Sequence, residues 1–318
     1  MRYSIIIPCY NSSLTIVRAL ESLDKQNFFD YEVLIVDDCS KDNTAQVVEQ
    51  YVLEGHDNVK ILRNEKNVGP GESRNRALKQ VQGEYVAFID SDDYVSSDYF
   101  TSINQAIEEK GGDLIYIGCQ QVFGEKKRFI LEDNLNSKED YIALASGSLC
   151  KIVASSRIWE GVTLPALTSA EDIAVIPYLF SKANNIVSVQ KPLYNYVYNS
   201  LSISSRPKAS TVQNFIDSYE ITKKMVSSRE YKEALEFHGI KTILYGAILN
   251  ALMIGLPQSL IHEIIMNFKA QNPNWITNKF VSRYSRRKRF FLSFVNRDNI
   301  VLLRIYVFVH KMYLKLHG

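Results

Sequence analysis

The chain has 318 residues, 46% of them hydrophobic and 23% charged, with a formal net charge of +2. Such a composition can bury one large core or two modest ones, and it excludes a disordered or fibrous chain. Residues 277–318 hold ten Lys or Arg against the single Asp298, leaving about −7 for the first 276, so the basic character is local and gives no general basis for nucleic-acid binding.

Cys9, Cys39, Cys119 and Cys150 stand far apart, with no C-x-x-C pair and no histidine at ligand spacing, which argues against a disulfide framework and against zinc. A reducing cytoplasm is the expected setting. The N-terminus enters a strand-like run directly, so no signal peptide is expected. The longest apolar stretches, "IKTILYGAILNALMIGL" and "IVLLRIYVFVHKMYL", are broken by Lys241 and Arg304 and fall short of the ~20 apolar residues of a membrane span.

Residues 3–7 are β-branched and apolar, and beyond Asn11, Ser12 and Ser13 the apolar residues Leu14, Val17, Leu20 and Leu23 recur at helical spacing. This strand-then-helix order returns in "YEVLIVDD" with "NTAQVVEQYVLEG", in "NVKILRN" with "GESRNRALKQVQG", and in "EYVAFIDSDD" with "SDYFTSINQAIEEKGG". A last strand follows in "DLIYIGCQQVF". The alternation predicts an open α/β layer with a mostly parallel, Rossmann-like sheet. From about 125 to 205 the periodicity weakens into a mixed segment. Beyond Pro207 the chain turns mainly helical, with amphipathic runs over 211–227, 230–254 and 258–269. The expected division is a nucleotide-binding and catalytic domain over 1–205 and a helical region over 206–318.

In such a sheet, ligands bind where strand C-termini meet the following loops, and the polar clusters lie there: "PCYN", "DDCSKD", "NEKNVGPGESRN" and "DSDD". Asp90, Asp92 and Asp93 repel one another, so something positive should sit beside them. Mg²⁺ or Mn²⁺ carrying a diphosphate suits closely spaced carboxylates, whereas an isolated acidic turn would simply cap the next helix. Asp38 can accept an N–H from a nucleotide base, Tyr10 offers a stacking face and Arg74 a fork of donors. Each also has a plain structural reading: a helix cap, a rim aromatic, a surface cation.

"GPGESR" is half of a G-x-G-x-x-G and follows the third strand rather than the first, which argues against a dinucleotide cofactor. Its glycines turn the chain or let it approach a ligand closely. His262 and Glu263 begin "HEIIM", which lacks the second histidine of a zinc-protease helix.

Taken in order, "SIIIPCYN", "IVDDCSKDNT", "NVGPGESRNRAL", "FIDSDDYV" and "SAEDIAVIPYLF" resemble the family 2 glycosyltransferases, inverting enzymes of the GT-A fold that use nucleotide-diphospho sugars. The resemblance covers roughly residues 1–205. It implies that Pro8 and Tyr10 cradle the nucleotide, that Asp38 reads the base and that Arg74 belongs to the loop over it. Asp90, Ser91 and Asp92 match the D-x-D that binds ribose and a Mn²⁺ or Mg²⁺ ion, with Asp93 extending the metal set. Asp172 stands where the family carries its catalytic base, with Glu171 beside it. Without the upstream motifs this pair would be read as first-turn acids favoured by the helix dipole.

The implied reaction moves a sugar, with UDP-sugar as the expected donor, to a hydroxyl of a glycan or lipid-linked oligosaccharide in capsule, exopolysaccharide or cell-wall glycan synthesis. The alternatives are a sugar nucleotidylyltransferase, which would carry a Gly-rich, Arg-containing loop where this chain has "PCYNSS", and a non-catalytic nucleotide-sugar-binding module. One departure stands out. Where relatives often show Y-Y-R-x-R-x-x-S, "YNYVYNSLSIS" has Val197 and Asn199 at the arginine places and keeps Ser202, so Lys151 or Arg206 is the expected substitute. Residues 279–315 interleave basic with aromatic and aliphatic residues, a composition suited to the inner face of an anionic membrane or to a second copy of the chain in a homodimer.

Overall fold

A computed structural model describes residues 1–130, 135–198, 208–227 and 229–317. The chain forms two compact units, one of Met1–Asn134, Gly147–Leu167 and Leu179–Ser200, the other of Leu135–Ser146, Thr168–Tyr178 and Leu201–Gly318.

The first unit is built on one sheet. β1 (Tyr3–Cys9) and β2 (Tyr31–Asp37) are buried at every position, the continuous apolar pattern of strands covered on both faces. β3 (Val59–Arg63) and β4 (Tyr85–Phe88) flank them in the order β3-β2-β1-β4, all parallel, with Tyr3 opposite both Tyr31 and Tyr85 and Val33 opposite Val59. The connecting helices are α1 (Ile16–Asp24), α2 (Thr44–Leu53) and α3 (Pro70–Leu78). Parallel pairing puts all four C-terminal strand ends on one edge, as the sequence predicts.

Beyond β4 the pattern changes. The short β5 (Tyr94–Val95) and α4 (Tyr99–Lys110) lead to the long β6 (Leu114–Phe123) and its hairpin partner β7 (Lys126–Ile130). β8 (Ile152–Ser155) runs antiparallel between β4 and β6, and α6 (Ser156–Trp159) follows it. β9 (Ile186–Val197) lies parallel to β6 and antiparallel to β5, which makes the sheet mixed at this end. The β6–β9 register shifts on both sides of Gly118, where a Cβ would stand 2.3 Å from the Lys191 carbonyl oxygen, so only glycine fits the bulge.

The charged exceptions in the sheet are paired. Glu32, 1% exposed, accepts from Ser4 Oγ at 2.7 Å, from the Gln82 amide at 2.9 Å and from Lys60 Nζ at 3.1 Å. Such pairing is what a carboxylate needs to survive burial.

The second unit is helical. α5 (Lys138–Leu144) starts with a reciprocal capping box of Ser137 and Asp140. α7 (Glu171–Lys182) begins in this unit. α8 (Ala209–Met225) is followed by a helical run made of α9 (Lys232–Gly239), a π-helical segment (Ile240–Ala247) and α10 (Ile248–Met253), then by α11 (Gln258–Gln271), α12 (Arg286–Asn296) and α13 (Ile300–His317). Charged pairs join its parts: Arg283 to Asp140 at 2.8 Å, and Lys279 to Glu139 at 2.7 Å and Glu233 at 3.1 Å. His238 is fully buried, which pushes its pKa well below the usual histidine value, with Lys241 adding to the effect. No helix among the described residues is long and apolar enough to cross a membrane.

Candidate functional site

The loops after β1 and β2 are laced together. Asp38 N donates to the Cys9 carbonyl at 2.9 Å, Asn11 N to Ser40 Oγ at 2.9 Å and Lys41 N to Asn11 Oδ1 at 2.7 Å. Asn11 and Cys39 reach this arrangement with positive φ angles of 51° and 60°, a region non-glycine residues seldom occupy. Ser12 N donates to Thr44 Oγ1 at 2.7 Å, and Ser13 N to Asp42 Oδ2 at 3.1 Å. Burial alone would raise the Asp42 pKa, but hydrogen bonds from Thr44 and Ser13 bring it down to about 2. Pro8 is buried in β1, while Tyr10 just beyond it is 46% exposed.

Asp38 is the centre of the next junction. Its Oδ1 accepts from Asn64 Nδ2 at 2.8 Å and from Val68 N at 2.9 Å, and its Oδ2 from Gly69 N at 2.8 Å. One carboxylate thus fixes the whole loop between β3 and α3. Gly69 caps α3 with φ +89°, a conformation that costs a side chain but not a glycine, and Pro70 opens the helix at its first position.

A protein cation, Arg74, sits beside the acidic run. From α3, its Nη2 reaches Asp90 Oδ1 at 2.8 Å, and the guanidinium lies 6.0 Å from the Phe88 ring centre. Asp92 is treated differently. Burial first, then the neighbouring Asp90 charge, raises its pKa, while the Arg18 guanidinium donates to the Asp92 backbone carbonyl. Ser91 Oγ lies 2.7 Å from Ser12 Oγ, which ties the acidic turn to the loop after β1.

Asp93, expected to extend the metal set, is engaged elsewhere. It is 1% exposed, and its Oδ1 accepts from Val197 N at 2.7 Å and its Oδ2 from Tyr194 Oη at 2.7 Å. Burial, then the Asp90 charge, pushes its pKa up to about 8. Among the described residues, no group of three or more His, Cys, Asp or Glu is arranged to hold a metal ion. The donor set that remains is Asp90 and Asp92. Two carboxylates fit a hard divalent cation that takes its other ligands from water and phosphate oxygens.

Glu171 and Asp172 open α7 in the second compact unit, just after Ala170, whose φ of +65° is left-handed. Glu171 is buried, while Asp172 is half-buried and accepts its neighbour Ile173 N at 2.8 Å. Lys151 is buried in the first unit with its ammonium 4.5 Å from the Tyr116 ring centre. Asn199, Ser202 and Arg206 lie outside the described residues.

Sequence reasoning missed Asn64, Ser12, Thr44 and Tyr194. The alternating aromatics of "YNYVYN" carry a strand signal for Tyr194, but nothing there names Asp90 and Asp93 as its partners.

The family model "Glycosyl transferase family 2" matches residues 4–154, from β1 into β8. A poly(ribitol-phosphate) beta-N-acetylglucosaminyltransferase of Staphylococcus aureus, TarS, is 33% identical over 207 residues, which are 62% of this chain and 35% of that protein. A poly(ribitol-phosphate) beta-glucosyltransferase of Bacillus spizizenii is 43% identical over 205 residues, 62% of this chain and 32% of that protein. The chain therefore spans about a third of the length of these relatives. Among solved structures, S. aureus TarS 1–349 in complex with UDP-GlcNAc matches with a TM-score of 0.72 at 25% identity, covering 98% of this chain and 92% of that one. The parallel strands, the braced rim and the D-x-D turn all lie inside residues 4–154, the segment that matches glycosyltransferase family 2, and the chain has the GT-A type of fold.

Proposed function

We propose that the chain transfers a hexosyl or N-acetylhexosaminyl group from a UDP-sugar to a hydroxyl of a cell-wall or capsular glycan, or of its lipid-linked precursor, with inversion at the anomeric carbon. The observation that carries this reading is the rim of the first unit, where loops after the parallel strands meet around Asp90 and Asp92. Similarity to wall-polymer glycosyltransferases supports the acceptor class.

In this reading Pro8 shapes the start of the nucleotide cradle and the exposed Tyr10 stacks on the base. Asp38 is assigned to the base edge. With three hydrogen bonds already on its carboxylate, it acts as much by shaping the 64–69 loop as by its remaining lone pair. Ser91 and Asp90 serve the ribose, with Arg74 holding the Asp90 carboxylate, and Asp90 and Asp92 would hold Mn²⁺ or Mg²⁺. That cation, when bound, supplies charge stabilisation to the departing diphosphate. Asp93 is assigned a bracing role.

Asp172 is proposed as the general base that takes the acceptor hydroxyl proton, a role worth ~10² to 10⁴ in rate, and Glu171 as the residue that orients it. Both the donor residues and this pair fall within 1–205, the region proposed to be catalytic.

Residues 206–318 are proposed to meet the acceptor, the membrane or another subunit. On α12 and α13, Phe290, Val301, Ile305 and Phe308 are 57%, 63%, 52% and 65% exposed, and exposed Arg286, Arg287, Arg289, Arg297 and Arg304 accompany them. Apolar groups interleaved with cations fit the cytoplasmic face of an anionic bilayer, with a homodimer contact as the second reading. Sedimentation with anionic but not zwitterionic vesicles is the expected result.

The central test is Asp172→Asn. The variant should bind UDP with Mn²⁺ as the parent does and turn over at least about 100-fold more slowly. Turnover near the parent rate would remove Asp172 from its role, and failure of the parent to bind UDP or UDP-sugar would remove the donor assignment.

A further inference from the structure

We propose that Tyr194, on β9, is a positioning residue for donor binding, acting through the turn that carries Asp90 and Asp92. The inference rests on the proposed reading of those two aspartates as the donor-diphosphate pair.

The turn from Asp90 to Asp93 is closed by its own backbone, with Asp93 N donating to the Asp90 carbonyl at 3.0 Å. Tyr194 holds both ends at once. Its hydroxyl accepts the Asp90 amide N–H at 3.1 Å and donates to Asp93 Oδ2 at 2.7 Å, so a single buried oxygen satisfies a donor at one end and an acceptor at the other. Val197 N completes the tie by donating to Asp93 Oδ1 at 2.7 Å. β9 also fixes the chain just beyond: Tyr194 pairs with Val95, and Ser96 N donates to the Leu193 carbonyl at 2.9 Å.

Tyr194 is 2% exposed, so no bulk water replaces its hydroxyl when it is removed. Its ring packs in the core of the first unit and would remain in Tyr194→Phe. What the variant loses is the link between the two ends of the turn. From the opposite side, Arg74 holds the Asp90 carboxylate but not the Asp90 amide. Among the described residues no side chain is hydrogen-bonded to the Asp92 carboxylate, which takes its position from that turn and from the Arg18 guanidinium on the Asp92 backbone carbonyl. Preorganised ligand groups of this kind lose affinity when the shell behind them slackens.

The test uses the full chain, well below its melting temperature, with UDP plus Mn²⁺ as the calorimetric probe and steady-state kinetics as the second readout. Tyr194→Phe should weaken UDP binding about tenfold and raise the donor KM in proportion, with the acceptor KM unchanged and kcat within about threefold. Tenfold corresponds to ~1.4 kcal/mol, within the range of one buried hydrogen-bonding group. Tyr194→Phe/Asp93→Asn should lose little more than the larger single loss, because both changes break one shared tie. A UDP affinity within threefold of the parent in Tyr194→Phe, whatever its melting temperature, overturns the proposal, as do losses that simply multiply in the double variant. A parent protein that binds no UDP overturns the donor reading itself, and the role of Tyr194 falls with it.

Discussion

Asp38 and Asp92 both follow parallel strands of one sheet, yet their surroundings differ in kind. Around Asp38 three N–H groups from the neighbouring loop converge, so its charge is compensated before any ligand arrives. Around Asp92 burial and the charge of Asp90 work against ionisation, and the nearby Arg18 binds the backbone carbonyl instead of the carboxylate. The contrast teaches that strand-end carboxylates divide into those that build the rim and those that leave charge for a ligand. The partners decide which is which, not the position in the loop.

The sharpest way to break this comparison is to remove the satisfied member. Asp38→Ala strips acceptors from two backbone amides and the Asn64 side chain in a buried setting, and should cost about 3 kcal/mol in urea unfolding besides weakening nucleotide binding. Asp92→Ala should do the opposite, leaving stability unchanged or raised by up to about 1 kcal/mol while Mn²⁺-dependent UDP binding is lost. Equal stability losses in the two variants would erase the distinction. Next in size is Gly118→Ala, in the bulge between β6 and β9. It forces a methyl group against the Lys191 carbonyl and should cost about 2 kcal/mol, read as a lower urea midpoint.

The strand ends were legible because β1, β2 and β4 are apolar runs followed by cap and turn residues, and parallel strands alternating with helices must send their ends to one edge. The other end of the sheet was not. β5 has two residues and β8 four, too few for any period to declare itself, and β9 contains Pro192, which reads as a breaker until the bulge at Gly118 is seen to accommodate it. For the site, residue types could be read but not partners. Asp90 asks for a cation, yet nothing in the spacing selects Arg74, sixteen positions earlier, over Arg76 or Arg63. In the same way, the acidic triad of the sequence gives no sign that Asp93 faces a strand a hundred residues away.

The smallest effect tests whether rim-building carboxylates announce themselves by titration. Asp42 has a folded pKa near 2, below its usual value of about 4, because the hydrogen bonds from Thr44 and Ser13 outweigh the cost of burial. A depressed pKa means that the folded state resists protonation, so the stability Asp42 contributes is complete above about pH 4 and is lost as pH falls through about 2. Asp42 is only part-buried, and solvent screening holds the contribution to on the order of 1 kcal/mol. Urea midpoints measured between pH 5 and pH 2.5 should therefore fall less steeply in Asp42→Asn than in the parent, and the two curves should converge at the acid end. Parallel curves would mean that the Ser13 and Thr44 hydrogen bonds do not favour the charged form. The lattice around Asp42 would then be held by shape alone, in contrast to the loop that the three hydrogen bonds to Asp38 hold.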